Sequence, residues 1–461
     1  LLNPENKLKK LESIFLTLFF ILLPTQFGKH FWPDFSFVSG IMVDYLSPTI
    51  YVTDVVVGML FVCVLVRIAL QKEWWEGREC HEGRIIIRPY KQYWYVFIIL
   101  SFLIFSALSS PRPMLGFYEV FKWGEMGFLA FYLARRIKKQ GQLQKIAFLF
   151  AVSALFESLL AIVQYVHQGS LNGVFYFFGE RMFTGATPGI ANVSIAGDLI
   201  LRSYGTFPHP NVLAGYLLVS MIFIWGFLHK SPRKLLRMIS FVSLFFCSIA
   251  LFLTFSRVVI LLGIVLGCVV VVKKMISVGA NNYSPFAFRR RLILSLMIIC
   301  LFGFIAFCIF RFIPFSHEVL VRFTQTSLTE ESITQRESLV QAAMLMMQQR
   351  PLVGVGIGNF IPSLVPLQQP KALGFNLQPV HNIYLLVTAE MGLVGLGLFG
   401  WLLISTYSRL RRQGKDSHYV IGTALGVILI TGLFDHYWLT LQQGQLLFAV
   451  VVGLGMIRKR L

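Results

Sequence analysis

Charge is what this chain has least of. Asp, Glu, Lys and Arg make up 13% of its 461 residues and hydrophobic types 56%, with a mean hydropathy of +0.70. Soluble domains carry about 25% charge, so the chain is a polytopic membrane protein. Cysteine is scarce too, and its placement excludes a disulfide framework. Cys63, Cys247, Cys268, Cys300 and Cys308 lie in apolar stretches and Cys80 in a basic connection. Cys80-His81 lacks the second pair that a zinc site needs. Internal repeats and a soluble domain are also missing. The first apolar stretch has no Ala-x-Ala-type cleavage site, so it reads as a retained helix rather than a signal peptide.

What is present is apolar length. Twelve stretches are long enough, or nearly so, to cross a bilayer core of about 30 Å. They lie near 11–27, 50–70, 92–109, 114–134, 146–167, 209–228, 235–255, 257–272, 292–311, 382–408, 419–434 and 441–457. The fourth is the most compromised, because it holds Glu119, Lys122 and Glu125. The expected fold is all-α: about twelve transmembrane helices in one integral membrane domain, 1–461, with a large outward loop at 312–381 that contains a helix.

The net charge of +20 comes from 41 Lys and Arg against 21 acidic residues. It is not spread evenly. Thirty of the 41 fall on alternate connections: the N-terminal segment, 67–91, 135–145, 230–237, 273–291, 409–415 and the C-terminal segment. That is the positive-inside pattern. It places both termini in the cytoplasm and the connections at 168–208 and 312–381 outside. The basic loops read as topology determinants touching anionic lipid, not as a nucleic-acid surface.

Few cations remain on the outward side, so each carries information. Arg257 follows Thr254-Phe255-Ser256 at a tight turn between two spans, against the charge rule. Arg336 lies at the start of the loop helix, and Arg202 precedes Ser203-Tyr204-Gly205-Thr206-Phe207-Pro208-His209-Pro210-Asn211. A guanidinium stays charged near a membrane and suits a phosphate or diphosphate. His381 opens the run His381-Asn382-Ile383-Tyr384-Leu385 at the mouth of a long span. An imidazole at a membrane boundary marks a site more often than a structural accident.

Each of these residues has a plainer reading beside the functional one. Arg257 snorkels to the interface, Arg336 pairs with Glu330, Glu331 or Glu337, and Arg202 is a loop charge. His381 caps its helix, His209 and Asn211 shape the entry to the sixth span, and Asp435-His436 is a solvated pair. A metal site of His209, His381, Asp435 and His436 has no ligand spacing such as His-x3-His behind it. Glu157, in the fifth span, reads as an interior polar contact.

The loop helix is expected over about Ile333–Gln349, capped by Ser332 or Thr334 and ended by Pro351, with Val340, Ala343, Met344 and Met347 on its buried face. After it comes Pro351-Leu352-Val353-Gly354-Val355-Gly356-Ile357-Gly358-Asn359-Phe360. Alternate glycines let a backbone pass close to a ligand or a helix. No Lys-Ser/Thr follows, so this is not a Walker motif.

In this order the segments resemble the O-antigen ligase and O-antigen polymerase family of bacterial envelope glycan proteins. The likeness rests on Gly205-Thr206-Phe207-x-His209-Pro210-Asn211, Thr254-x-Ser256-Arg257, Arg336, the glycine run 354–358, and His381-Asn382-x-x-Leu385 with Glu390-x-Gly392-x-x-Gly395. It implies a metal-independent, cofactor-free membrane glycosyltransferase of the bacterial inner membrane. Such proteins pass a glycan from undecaprenyl diphosphate to a hydroxyl acceptor at the periplasmic face. By motif, Arg257 and Arg336 would bind the diphosphate, with Arg202 beside them, and His381 would activate the acceptor. His209, Asn211, Asn382, Glu390, Asp435 and His436 would support the site. One departure stands out: members often carry a bulky aromatic after the loop Arg, where this chain reads Glu337-Ser338-Leu339-Val340.

The chemistry agrees. A departing diphosphate needs its growing charge neutralised, which two arginines can do. The acceptor hydroxyl needs a base, which a histidine can be. The acceptor is lipid A-core for a ligase, a second lipid-linked repeat for a polymerase, or protein Ser/Thr for an O-oligosaccharyltransferase. The reading from another class is a flippase of the same lipid-linked glycan, for which polar residues deep in several spans or inverted repeats are expected.

The topology is directly testable. In intact cells, Ser327→Cys and Gly374→Cys should react with an impermeant thiol reagent and Gly414→Cys should not. Protection of the first two would invert the orientation and displace every site residue to the wrong face.

Overall fold

The computed structural model describes residues 4–70, 80–81, 84–85, 94–195, 198–229, 231–279, 330–367 and 377–457. Its helices, in chain order, are α1 Pro4–Leu22, α2 Val52–Leu70, α3 Trp94–Leu108, α4 Pro113–Arg136, α5 Gln140–His167, α6 Pro210–Leu228, α7 Lys234–Leu253, α8 Arg257–Gly279, α9 Glu330–Gln349, α10 Ile383–Leu410, α11 Lys415–Thr431, the single turn α12 Tyr437–Thr440 and α13 Gln442–Gly455. A helix occupies each expected span except 292–311. That span lies outside the described residues, together with Cys300, Cys308, Ser327 and Gly374. Among the described residues, α2, α5, α6, α7 and α10 are long and apolar enough to cross a membrane unaided. The expected twelve exceeds this number for physical reasons. α1 and α4 carry several charges, α11 has 17 residues, and α3, α8 and α13 have short apolar stretches.

Helix α6 is the centre of the bundle. Of its apolar window 72% is buried, against 28% for α2 and for α7, which leave most of their surface for lipid. It is hydrophobic all round, as a core helix must be, and packs on α5, α7 and α11. On the other side α13 lies against α4 so closely that a Cβ on Gly453 would meet the Ala130 backbone at 2.7 Å. Small residues permit this backbone approach. Two of the three charges that compromised the fourth span are paired: Lys122 Nζ lies 2.9 Å from Asp54 Oδ1 and 3.1 Å from Glu125 Oε2. Buried ions require such partners.

Three connections contain short antiparallel hairpins that the hydropathy pattern did not reveal, one of them pairing 80–81 with 84–85. In the first, residues 28–30 pair with 49–51 and 37–38 with 41–42; in the last, 192–195 pair with 198–201.

Helix α10 is broken at Gly392, which sits at φ 62°, ψ −165°. A break inside a spanning helix strands backbone groups that lipid cannot satisfy. The segment after α9 satisfies them. Val355 N–H donates to Ala389 O at 2.9 Å and Gly356 N–H to Glu390 O at 2.8 Å, while Leu393 and Val394 N–H reach Pro351 O and Leu352 O at 2.9 and 3.2 Å. Gly354, Gly356 and Gly358 all have positive φ. A Cβ on Gly354 would lie 2.4 Å from the Glu390 backbone. The alternate glycines therefore clasp a broken helix.

Helix α9 begins at Glu330, earlier than expected, so Ser332 and Thr334 lie within it and do not precede it. Its buried stripe is also rotated from the expected one. Leu339, Ala342, Ala343 and Met346 are buried, Val340 and Met347 are partly buried, and Met344 is 50% exposed. The i, i+3, i+4, i+7 set that starts at Leu339 packs on α10.

The clasp predicts a contrast between two α10 glycines. Gly392→Ala places a Cβ 2.2 Å from the Leu352 carbonyl carbon at positive φ; the left-handed backbone alone costs about 1–2 kcal/mol. Gly397 has open space around it, and Gly397→Ala should be neutral or stabilising by up to about 1 kcal/mol. Thermal melting of the two variants in detergent should separate them by several degrees. Equal melting would refute the clasp.

Candidate functional site

Four segments distant in sequence meet at one end of the bundle. The start of α10 is stitched to the turn after α11: Ile383 N–H donates to Gly432 O at 2.8 Å, Asn382 Nδ2 to Leu433 O at 3.2 Å and Tyr384 Oη to Leu429 O at 2.9 Å. A side chain on Gly432 would strike Ile383 at 2.4 Å. This seam sets His381 beside Asp435 and His436.

A second set of bonds brings in the other segments. Arg202 Nε donates to Thr254 O at 2.7 Å and Arg202 Nη2 to Asn211 Oδ1 at 2.8 Å. Asn211 Nδ2 in turn donates to Asp435 Oδ2 at 2.9 Å. The Thr254-Phe255-Ser256 turn needs Phe255 at φ 51° and delivers Arg257 as the first residue of α8. The Gly205-Thr206-Phe207 motif is held from below. Buried Glu157 accepts from Thr206 N at 2.9 Å and Thr206 Oγ1 at 2.8 Å, so Glu157 is the interior contact its position suggested.

Side-chain ligand atoms of His381, Asp435 and His436 all lie within 4.8 Å of one another. The rings of His381 and His436 stand edge to face, centroids 5.1 Å apart. Tautomers follow from the partners. Thr440 Oγ1 donates its proton to His436 O at 3.1 Å, so at 2.6 Å it accepts from His436 Nδ1–H. The lone pair of His436 is then on Nε2. His209 is the reverse: its Nδ1 accepts the Asn211 N–H at 3.1 Å as the N-cap of α6. The Nδ1 of His381 is buried and has no hydrogen-bond partner.

The electrostatics favour neutral imidazoles beside one anion. Burial pushes His436 down to about 3, with Asp435 opposing and Arg336 assisting. Burial and the Arg202 charge push His209 down to about 3. His381 is lowered by burial, resisted by Asp435 and aided by Arg336. The Asp435 carboxyl lies below its ordinary value. Burial works against its charge, and the hydrogen bond from the Asn211 amide favours it. His436 N–H adds a hydrogen bond to Asp435 Oδ1 at 2.8 Å.

The candidates thus divide. His381, Asp435, His436, His209, Asn211 and Arg202 gather around one carboxylate. Arg336 is exposed on α9, one turn before Leu339, and its charge bears on His381 and His436. Arg257 is half-buried, and among the described residues its guanidinium is engaged by no hydrogen bond or ion pair. Asn382 is the N-cap of α10, accepting from Tyr384 and Leu385 N–H at 2.9 and 3.0 Å. Glu390 faces the glycine clasp, accepting from Gly358 and Phe360 N–H at 3.0 and 3.2 Å. Two contributors gave no sign in the sequence. Tyr45, from the first connection, sets its ring 5.5 Å from that of His436, and Thr440 sets the His436 tautomer. A lone Tyr between Asp44 and Leu46 carries no pattern that could have announced this contact.

Compared with known protein families, residues 242–400 match the model described as O-Antigen ligase. No curated protein matches the chain. The matched segment begins within α7, ends within α10 and includes Arg257, Arg336 and His381, so this part of the chain is similar to the O-antigen ligase family.

Proposed function

We propose that this protein transfers a glycan from an undecaprenyl-diphosphate donor to a hydroxyl acceptor at the outer face of the bacterial inner membrane, as an O-antigen ligase or polymerase, without a metal. His381 takes the proton of the acceptor hydroxyl. The oxygen attacks the anomeric carbon as the bond to the diphosphate breaks, with inversion, and the diphosphate leaves with the bonding pair. Arg257 and Arg336 receive its growing charge. Asp435 stabilises the imidazolium formed on His381. Arg202, with two donors spent on Thr254 and Asn211, braces the turn that presents Arg257.

The observation that carries this reading is the His381 imidazole: buried, with an unpartnered Nδ1, beside a carboxylate at the entrance of α10. Burial and Arg336 keep such a base neutral and ready. The candidate site residues cluster at one end of the bundle, and the interior charges Lys122 and Glu157 are held by fixed partners, which favours surface chemistry over the flippase reading. A protein hydroxyl would suit the same donor site, so the acceptor decides the branch. Supplying lipid A-core, a second lipid-linked repeat or a Ser/Thr peptide separately to purified protein would make that choice.

Arg257→Ala should abolish transfer while the protein still inserts, a loss of roughly 10²–10³-fold or more. Arg257→Lys should recover only part, because an ammonium lacks the planar fork. Full activity of the Lys variant would remove the geometric half of the diphosphate assignment.

His381→Ala should lower the single-turnover rate by roughly 10²–10⁴-fold with donor affinity largely retained, and His381→Gln should stay inactive. The pH profile follows from the sign of the shift. The base works when neutral and its pKa is lowered, so the acid limb of kcat/KM should fall below pH 6.5. In Arg336→Ala, residual activity should show this limb moved to higher pH, since a charge opposing protonation is gone. A Gln variant of near-normal turnover would reduce His381 to an orienting group.

A further inference from the structure

We propose that His381, Asp435 and His436 form a site for a borderline divalent cation of the Zn²⁺ class, and that its occupancy reversibly shuts off transfer. The second half rests on the reading of His381 as the acceptor's base; the first half does not.

Two imidazoles and one carboxylate are the ligand set of many open zinc sites. Here the three donors are already gathered within 4.8 Å of one another. Around a tetrahedral Zn²⁺ the ligand atoms stand about 3.3 Å apart, from bonds of roughly 2.0–2.1 Å. Binding therefore requires the three donors to close in on the ion. The protonation states suit the task. His436 has its Nδ1 proton on Thr440 Oγ1, which leaves the Nε2 lone pair for a metal and supplies the outer hydrogen bond that fixes a ligating imidazole. His381 has a buried Nδ1 that bonds to nothing. Asp435 accepts from Asn211 Nδ2 and from His436 N–H, one bond on each oxygen, and each oxygen retains a further lone pair. His209 is excluded although it lies close by, because the Asn211 N–H occupies its Nδ1.

Nitrogen-rich donors select Zn²⁺, Co²⁺ and Ni²⁺ over Mg²⁺ and Ca²⁺. One carboxylate, with Arg336 and Arg202 nearby, gives a site of modest affinity suited to reversible occupancy. The consequence for transfer is direct. A His381 nitrogen that donates its lone pair to a metal has none for the acceptor's proton, and a cation at Asp435 removes the anion that would stabilise an imidazolium. The pairing of Asp435 with His436 in adjacent positions makes the device compact: one short turn supplies two ligands, and the seam to α10 supplies the third.

The test uses the full chain in lipid nanodiscs, with Co²⁺ as a spectroscopic probe whose visible absorption is strong only in tetrahedral coordination. One Co²⁺ per chain should bind, be displaced by Zn²⁺ and resist displacement by Mg²⁺. Affinity should fall at least tenfold in His436→Gln and in Asp435→Asn, and about tenfold in Thr440→Val, which removes only the outer hydrogen bond. His209→Ala should bind Co²⁺ as the wild type does. Melting temperatures near wild type certify each variant. In parallel, Zn²⁺ should inhibit glycan transfer by the wild type, EDTA should restore it, and EDTA alone should not reduce it. Absence of stoichiometric Co²⁺ absorption, or equal binding in His436→Gln and Asp435→Asn, overturns the site. Zn²⁺ that binds without inhibiting, or that stimulates EDTA-treated protein, overturns the shut-off. The two readings separate through His381→Ala assayed in EDTA. If it is inactive while the wild type fails to bind Co²⁺, the base stands and the metal site falls. If it transfers normally while the wild type binds Co²⁺, the metal site stands and the base assignment falls.

Discussion

A hydrogen bond left unmade in lipid costs several kcal/mol, and the arrangement of this protein turns on one place where four would be unmade. Helix α10 breaks at Gly392, and the segment 351–356 crosses it to take up the freed carbonyls and N–H groups. The crossing is possible only for a backbone without Cβ atoms at Gly354 and Gly392. It ties the end of α9 to the middle of α10, while Glu390 binds the continuing loop through Gly358 and Phe360. Because α9 is pinned this way, with Leu339 and Met346 buried against its partner, Arg336 is held where its charge reaches His381 and His436.

The other organising contact is the Asp435 carboxylate. A buried anion needs donors, and the fold supplies Asn211, which is itself held by Arg202, which in turn holds the Thr254 carbonyl. One chain of hydrogen bonds therefore links the last connection of the bundle to the start of α6 and to the turn that presents Arg257. The imidazoles around it stay neutral because burial and two guanidinium groups oppose their protonation. Neutral nitrogen lone pairs next to a fixed carboxylate are what both a proton acceptor and a metal ligand require. The same cluster would thus serve the proposed transfer when open, and a cation bound there would stop it.

Much of this was legible along the chain, and the limits have identifiable causes. Apolar length located the helices, since a spanning segment declares itself by local composition alone. Arg257 and His381 stood out as candidates because the surrounding residue types made a charge there unusual. The α9 face was misplaced by one step, since Val340, Ala343, Met344 and Met347 repeat at helical spacing as well as the set from Leu339 does. Only the partner surface on α10 chooses between them. The hairpins at 28–51 and 192–201 were missed because their strands are two to four residues long, too short for a periodic signal.

The sequence by itself determined that this is a helical membrane protein, where its helices run, and which scattered polar residues were worth following. Those properties depend on neighbours in the chain, which transfer free energy and charge bias read locally. Tertiary structure decided which polar residues share a site. Tyr45, His381 and His436 come from three connections, and nothing in their spacing brings them together. It also decided that the glycine run clasps a helix, that Asn382 caps one, and that His436 and not His209 offers its lone pair to the cluster. Those outcomes rest on single hydrogen bonds between residues far apart in the chain, and such bonds exist only once the helices have packed.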